Sequence, residues 1–227
     1  MLSRMTRGAF ILLEGGDRTG KSTQCRRLVE YLQGAGVAAQ HRRFPGRYRT
    51  TTIGKMIDAY LAGSTQLDDR AIHLLFSANR WEAVADMKAA LQKGITLVVD
   101  RYAYSGVAFS AAKVSGLSLH WCKQPDIGLL RPDLVCWLDM PVDAATQRGA
   151  FGQERYERVD LQRRVREYFA QLREPDWLVL DATQSVETVH EAIAQHAVDV
   201  IAVCQHQPLR EDLWQKEEED NRVHEQC

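Results

Sequence analysis

Apolar residues gather in five short runs along this chain, "AFILL", "VAAQHRRF", "ITLVVD", "DLVCWLDM" and "WLVLD". Each is too short for a typical helix, and most are rich in β-branched or aromatic residues, so five strands are predicted. Between the runs lie longer stretches of helical period, from Lys21 to Gln33, Asp68 to Lys93, Val142 to Arg148, Asp160 to Arg173 and Val186 to Val203. Strands alternating with crossover-length helices predict an α/β fold with a parallel sheet covered on both faces. No Ser/Gly-rich linker or internal repeat divides the chain, so residues 1–214 read as one domain.

Composition narrows the picture by exclusion. The 227 residues, 45% hydrophobic and 26% charged, suit an ordinary globular protein, and no apolar run approaches the roughly 20 residues of a membrane span. A net charge of -1 gives no global reason to expect a nucleic-acid polymer as partner. The N-terminal segment leads into a strand without a small-residue cleavage site, so no export is expected. Five cysteines, odd in number and without CxxC spacing, fit reduced thiols in the cytoplasm or also the nucleus, with no zinc site and no catalytic role. Past Trp214 the sequence "QKEEEDNRVHEQC" lacks aromatic residues and reads as a solvated tail over 215–227.

The first strand runs straight into "EGGDRTGKST", where Gly15, Gly20, Lys21 and Ser22 satisfy G-x-x-x-x-G-K-[ST] between a strand and a helix. Glycines let successive backbone N–H groups curl around phosphate oxygens, Lys21 adds a positive charge, and the Ser22 hydroxyl can ligate Mg2+. The loop leaves the reaction class open, but no N-K-x-D element is present for guanine and a helicase would be longer. Asp17 and Arg18 inside the loop exceed what a phosphate cradle needs.

Asp100 closes the apolar strand "ITLVVD", at the end where parallel sheets bind ligands, and could hold Mg2+ across from Ser22. Arg101 beside it is shaped for bidentate phosphate recognition, with a strand-end ion pair between the two as the alternative. Phe76 and Arg80, four apart, share one helix face. They could stack on a base and bond its edge, or serve as a core ring and a surface charge. "GAFGQERYER", with Arg148, Arg155 and Arg158 around two glycines, reads either as a lid over about 148–158 or as a surface turn.

Taken together, "LEGGDRTGKSTQ", "RRFPGR", "LLFSANRWE", "TLVVDRYAYSGVAF", "WCKQPDIGL", "RPDLV" and "RGAFGQERYE" resemble the thymidylate kinase family, in its eukaryotic cytosolic form, from about Arg7 to Trp214. The resemblance implies a three-layer P-loop NTPase fold with a five-stranded parallel sheet and a short lid. It also implies transfer of the γ-phosphoryl of ATP to dTMP with Mg2+, by a cytoplasmic homodimer. On the ATP side it implies Gly15, Gly20, Lys21, Ser22, Thr23 and Arg148, with Ser22 and Asp100 at the metal. For dTMP it implies Asp17 at the 3'-hydroxyl, Phe44, Phe76 stacked on thymine with Arg80 at its edge, and Arg101 on the phosphate. Tyr102 would crowd a ribose hydroxyl, and Phe109 and Tyr156 would complete the pocket. Arg18, Lys21, Asp100 and Arg101 would form the catalytic set.

One stretch departs from the family pattern: "FPGRYRTTTIGK" is two residues longer than the usual "FPxRxTxIGK". Arg47 is preferred over Arg49 as the grip on the acceptor phosphate, by its spacing from Pro45. Two other readings remain: a kinase of another nucleoside monophosphate such as dUMP, and a catalytically silent nucleotide-binding protein.

Overall fold

In the computed structural model, residues 6–45, 51–148 and 155–215 are described. Five strands, β1 (Phe10–Glu14), β2 (Ala39–Arg43), β3 (Thr96–Asp100), β4 (Leu134–Asp139) and β5 (Leu178–Asp181), form one sheet in the order β2-β3-β1-β4-β5. Every neighbouring pair is parallel. Among the described residues eight α-helices join or follow them: α1 (Lys21–Gly34), α2 (Thr52–Leu61), α3 (Asp69–Gln92), α4 (Ala103–Ala111), α5 (Leu119–Lys123), α6 (Val142–Thr146), α7 (Val159–Leu172) and α8 (Val186–Cys204).

The three central strands, β1, β3 and β4, are largely apolar on both faces because both faces are covered, whereas edge strand β2, AQHRR, is mostly polar and exposed. Phe10, Leu12, Leu97, Val99, Val135 and Trp137 point to one side and pack with α3, α4 and α7. Ile11, Leu13, Val98, Cys136 and Leu138 alternate to the other side and meet Leu28 and Leu32 of α1 and Val189 and Ile193 of α8. Each fully buried aliphatic or aromatic side chain stabilises the fold by roughly 1.5–3 kcal/mol, which makes these two layers the main holding force. Edge strand β5 is only half covered.

Helix starts follow local chemistry. Asp68 accepts from the Arg70 N–H at 2.8 Å to open α3, and Ser185 accepts from the Thr188 N–H at 3.0 Å to open α8. The expected strands and the five expected helices are found within a few residues of their predicted bounds. Helices α2, α4 and α5 are additional. Cys25, Cys122, Cys136 and Cys204 are buried free thiols. Of the sequence expectations, Arg47, Arg49, the lid centre 149–154 and the tail from 216 onward lie outside the described residues.

Candidate active site

The two central strands, β1 and β3, end side by side, and the site is built on their C-terminal ends. After β1 the chain turns through Gly15 at φ 154°, where a Cβ would meet the Leu138 carbonyl oxygen at 2.8 Å, so only glycine fits. Gly20, at φ 95°, then starts α1 directly. Lys21 folds back over the loop, donating to the Gly16 carbonyl, and lies 3.3 Å from the Thr19 hydroxyl. Burial first, and the Arg101 guanidinium second, lower its ammonium to about 8, which still leaves a cation at neutral pH.

Ser22 donates its hydroxyl hydrogen to the Asp100 carboxylate. The pair offers oxygen donors alone, one of them anionic, which is the chemistry a hard cation such as Mg2+ selects. Ser22 and Asp100 would hold that ion, and the alternative of an ion pair between Asp100 and Arg101 is not formed, since Arg101 pairs with Asp17.

Arg101 instead turns to the loop. Its backbone sits at φ 67°, and its guanidinium donates to the Gly15 carbonyl at 3.1 Å, the Ser105 hydroxyl at 3.1 Å and the Asp17 carboxylate. Asp17 is clamped from a second side by Gln162, whose amide nitrogen donates to its carboxylate at 2.5 Å and whose amide oxygen accepts from its backbone N–H at 3.0 Å. Arg18 donates to Glu157 at 2.7 Å. Arg148 spans from the Arg18 carbonyl at 3.2 Å to the Ala182 carbonyl at 2.8 Å.

Beneath Arg101, Glu14 is wholly buried on the α4 side of the sheet. It accepts from the backbone N–H groups of Tyr102 (2.9 Å) and Ser105 (3.1 Å) and from the Ser105 hydroxyl (2.5 Å). Burial pushes its carboxyl up, against these donors. The contacts tie the start of α4, and with it Arg101, to β1.

Two pockets open here. One follows the phosphate loop from Arg18 to Gln24 toward Arg148 and Gln184. The other runs between α3 and α4 and is lined by Phe44, Phe76, Asn79, Arg80, Tyr102, Gly106, Phe109 and Tyr156. Asp17, Arg43 and Arg101 line both. In the second pocket the Tyr102 hydroxyl is buried and has no partner among the described residues, and burial raises its phenol well above the ordinary value. Phe76 lines this pocket while its other side packs on the Ile57, Tyr60 and Ile72 cluster.

The alternative of Arg80 as a surface charge is corrected by its position. It is 3% exposed and pairs with Asp126, itself 0% exposed, through two contacts of 3.1 and 2.5 Å. Ser77 adds a 2.7 Å hydrogen bond to the same carboxylate. A buried arginine held this way presents a fixed planar donor to whatever fills the pocket.

Of the predicted site residues that fall among the described ones, all but Gly15 line one or both of the two pockets; Gly15 instead turns the loop, and its carbonyl accepts from Arg101. Those the sequence reading missed are Glu14, Arg43, Asn79, Gly106, Asp126, Glu157 and Gln162. All but Gln162 stand inside stretches that carry the family resemblance, and Arg43, in "RRFP" at the end of β2, also lies opposite Asp100 in register.

Fold and site define a phosphate-loop nucleotide-binding protein whose loop pocket adjoins a deep, partly aromatic second pocket. Comparison with known proteins narrows the class: the thymidylate kinase family model matches residues 13–193. The human thymidylate kinase is 51% identical over 211 residues, covering 92% of this chain and 98% of that protein. The enzyme of Arabidopsis thaliana is 49% identical over 208 residues, covering 92% and 78%. The solved structure of thymidylate kinase from Candida albicans superposes with a TM-score of 0.75 at 32% identity, covering 91% of this chain and 96% of that one. The chain belongs to the thymidylate kinase family.

Proposed function

We infer that this chain transfers the γ-phosphoryl group of ATP to dTMP, giving ADP and dTDP. The observation that carries the reading is the junction of the two pockets, where Asp17, Arg43 and Arg101 belong to both. A donor phosphate chain on the loop and an acceptor phosphate at Arg101 would then face each other across a cationic rim.

The acceptor oxygen of a nucleoside monophosphate is already anionic at neutral pH, so no general base is required. What the protein must supply is alignment of two polyanions and neutralisation of charge as the group moves. Lys21 and the loop N–H groups, with Gly15, Gly20, Ser22 and Thr23, hold the donor, and Arg148 lies along its adenosine side. Mg2+ held by Ser22 and Asp100 would supply further charge neutralisation on the donor phosphates. Arg101, and Arg47 from outside the described residues, grip the acceptor, and Arg18 covers the charge developing between them.

Specificity comes from the second pocket. Phe76 stacks on the thymine ring and Arg80, fixed by Asp126, donates to its edge, with Phe44, Phe109 and Tyr156 enclosing it. Tyr102 occupies the space a ribose hydroxyl would need. The Asp17 carboxylate, with about four acceptor sites, can take the 3'-hydroxyl hydrogen in addition to its present partners. Arg148 and Glu157, on either side of residues outside those described, line the loop pocket, and a lid over about 148–158 that keeps water from the phosphoryl group is part of this proposal.

We also propose a homodimer. Leu74 and Trp81, seven apart on the outer face of α3, are 48% and 42% exposed, an apolar pair that a second copy would cover. No described helix is long and apolar enough to cross a membrane, and a cytoplasmic or also nuclear location is part of the proposal.

Incubation with ATP and dTMP, followed by chromatographic separation of nucleotides, tests the reading. Equal amounts of ADP and dTDP are expected, and both should vanish with Lys21→Ala. ADP formed at the same rate without dTMP would refute it.

A further inference from the structure

The α1 side of the sheet carries a cluster whose chemistry differs from the oxygen pair of Ser22 and Asp100. Side chains alternate along β3, so Asp100 shares the face of Val98. His41 on β2 pairs with Val98 in register and therefore stands on that same face, one strand over. Cys25 lies one turn beyond Lys21 on the buried side of α1, which packs against this face. The Cys25 sulfur, a ring nitrogen of His41 and a carboxylate oxygen of Asp100 consequently all lie within 4.8 Å of one another.

A thiolate, an imidazole and a carboxylate are the donor set of a borderline-soft dication, whereas Mg2+ selects oxygen. We propose that Cys25, His41 and Asp100 bind Zn2+ or a cation of that class, and that filling this site draws the Asp100 carboxylate away from Ser22. Zinc bonds of about 2.0–2.3 Å in a tetrahedron set ligand atoms roughly 3.3–3.8 Å apart, so the three must close by about an ångström. Cys25 and Asp100 are buried, with their backbones held in α1 and β3, so the Asp100 carboxylate moves only by turning its side chain, while His41 is exposed and can swing its ring inward. Thiolate and carboxylate together balance the charge of the ion, so the filled site adds no net charge beside the cations Lys21 and Arg43. An otherwise sufficient account of Cys25 is that it fills space in the α1 layer as a small apolar residue. That account gives no reason for an imidazole and a carboxylate to face the sulfur.

The site stands independently of the kinase reading; its effect on turnover rests on that reading. Co2+ titrated into the full chain reads sulfur ligation directly, through a thiolate-to-cobalt band in the near ultraviolet that Zn2+ should bleach by displacement. The wild type is expected to develop the band at one equivalent and Cys25→Ser to lack it. His41→Ala, at an exposed position that the fold does not need, should weaken binding by more than the roughly tenfold that even an outer-sphere change costs. In parallel, dTDP formation at saturating ATP and Mg2+ should fall as free Zn2+ rises in the wild type and hold steady in Cys25→Ser. No band in the wild type, or an undiminished band in both variants, overturns the site. A cobalt band accompanied by zinc-insensitive turnover overturns the coupling to Ser22 and leaves the kinase reading standing. Cobalt binding without dTDP formation under any condition points instead to failure of the kinase reading.

Discussion

Arg18 has a left-handed backbone, φ 64°, and its guanidinium meets Glu157 from the segment leading into α7. Its assigned work is done only as the phosphoryl group crosses. Arg18→Ala should therefore lower kcat by about 10^2-fold, equivalent to nearly 3 kcal/mol, while leaving KM for dTMP within about threefold. Steady-state kinetics at varied dTMP checks this, and unchanged turnover would remove Arg18 from the catalytic set. Gly106 is a second residue-scale test. A Cβ there would sit 2.8 Å from both terminal nitrogens of Arg80, whose guanidinium is locked to Asp126 and cannot simply swing aside. Gly106→Ala should raise KM for dTMP roughly tenfold with a smaller change in KM for ATP; equal effects on both would mean that Arg80 does not meet the base. Lys21, Ser22 and Asp100 were legible in sequence because a contiguous motif and a strand end announce them. Asp126 and Gln162 were not, since they lie 46 and 145 residues from Arg80 and Asp17 and become partners only on folding.

At the scale of elements, α3 and α4 are joined by His73, which is fully buried and lies 2.7 Å from the Ser110 hydroxyl and 2.9 Å from the Cys122 carbonyl. Burial, and after it the positive charge of Arg80, lower its imidazole to about 4. The unfolded chain, with an ordinary value near 6.5, takes up a proton that the folded chain refuses. Stability should thus be complete above pH about 6.5 and fall as pH drops toward about 4, by up to about 3 kcal/mol from this group. Urea unfolding at pH 7 and 5 measures the difference, and His73→Gln should reduce it; an unchanged slope in that variant would contradict the assignment. Elements with a clear period, such as α3 with its apolar stripe or β3 with its unbroken apolar run, were readable in advance. Helix α4 was not, because Ala103, Tyr104, Ser105, Val107, Ala108, Ser110 and Ala111 are buried around its circumference, which erases the amphipathic signal. The short α5 offered too few turns to show one.

For the whole molecule, alternation of strands and helices predicted a parallel sheet, and the sheet is parallel throughout. The order β2-β3-β1-β4-β5 is a matter of non-local pairing that periodicity does not contain. That order matters for function: it sets β1 beside β3, so the glycine loop and Asp100 end in one crevice, and it leaves α3 and α4 to wall a second pocket next to the first. The central claim is that these adjoining pockets phosphorylate dTMP in particular. A panel of dTMP, dUMP, dGMP, UMP and CMP, each with ATP and Mg2+ in a coupled ADP-release assay, tests it most directly. The account predicts the highest kcat/KM for dTMP, roughly tenfold less for dUMP, which lacks one methyl group, and less again for the ribonucleotides that Tyr102 obstructs. Preference for a ribonucleotide, or no monophosphate-dependent ADP release at all, would contradict it.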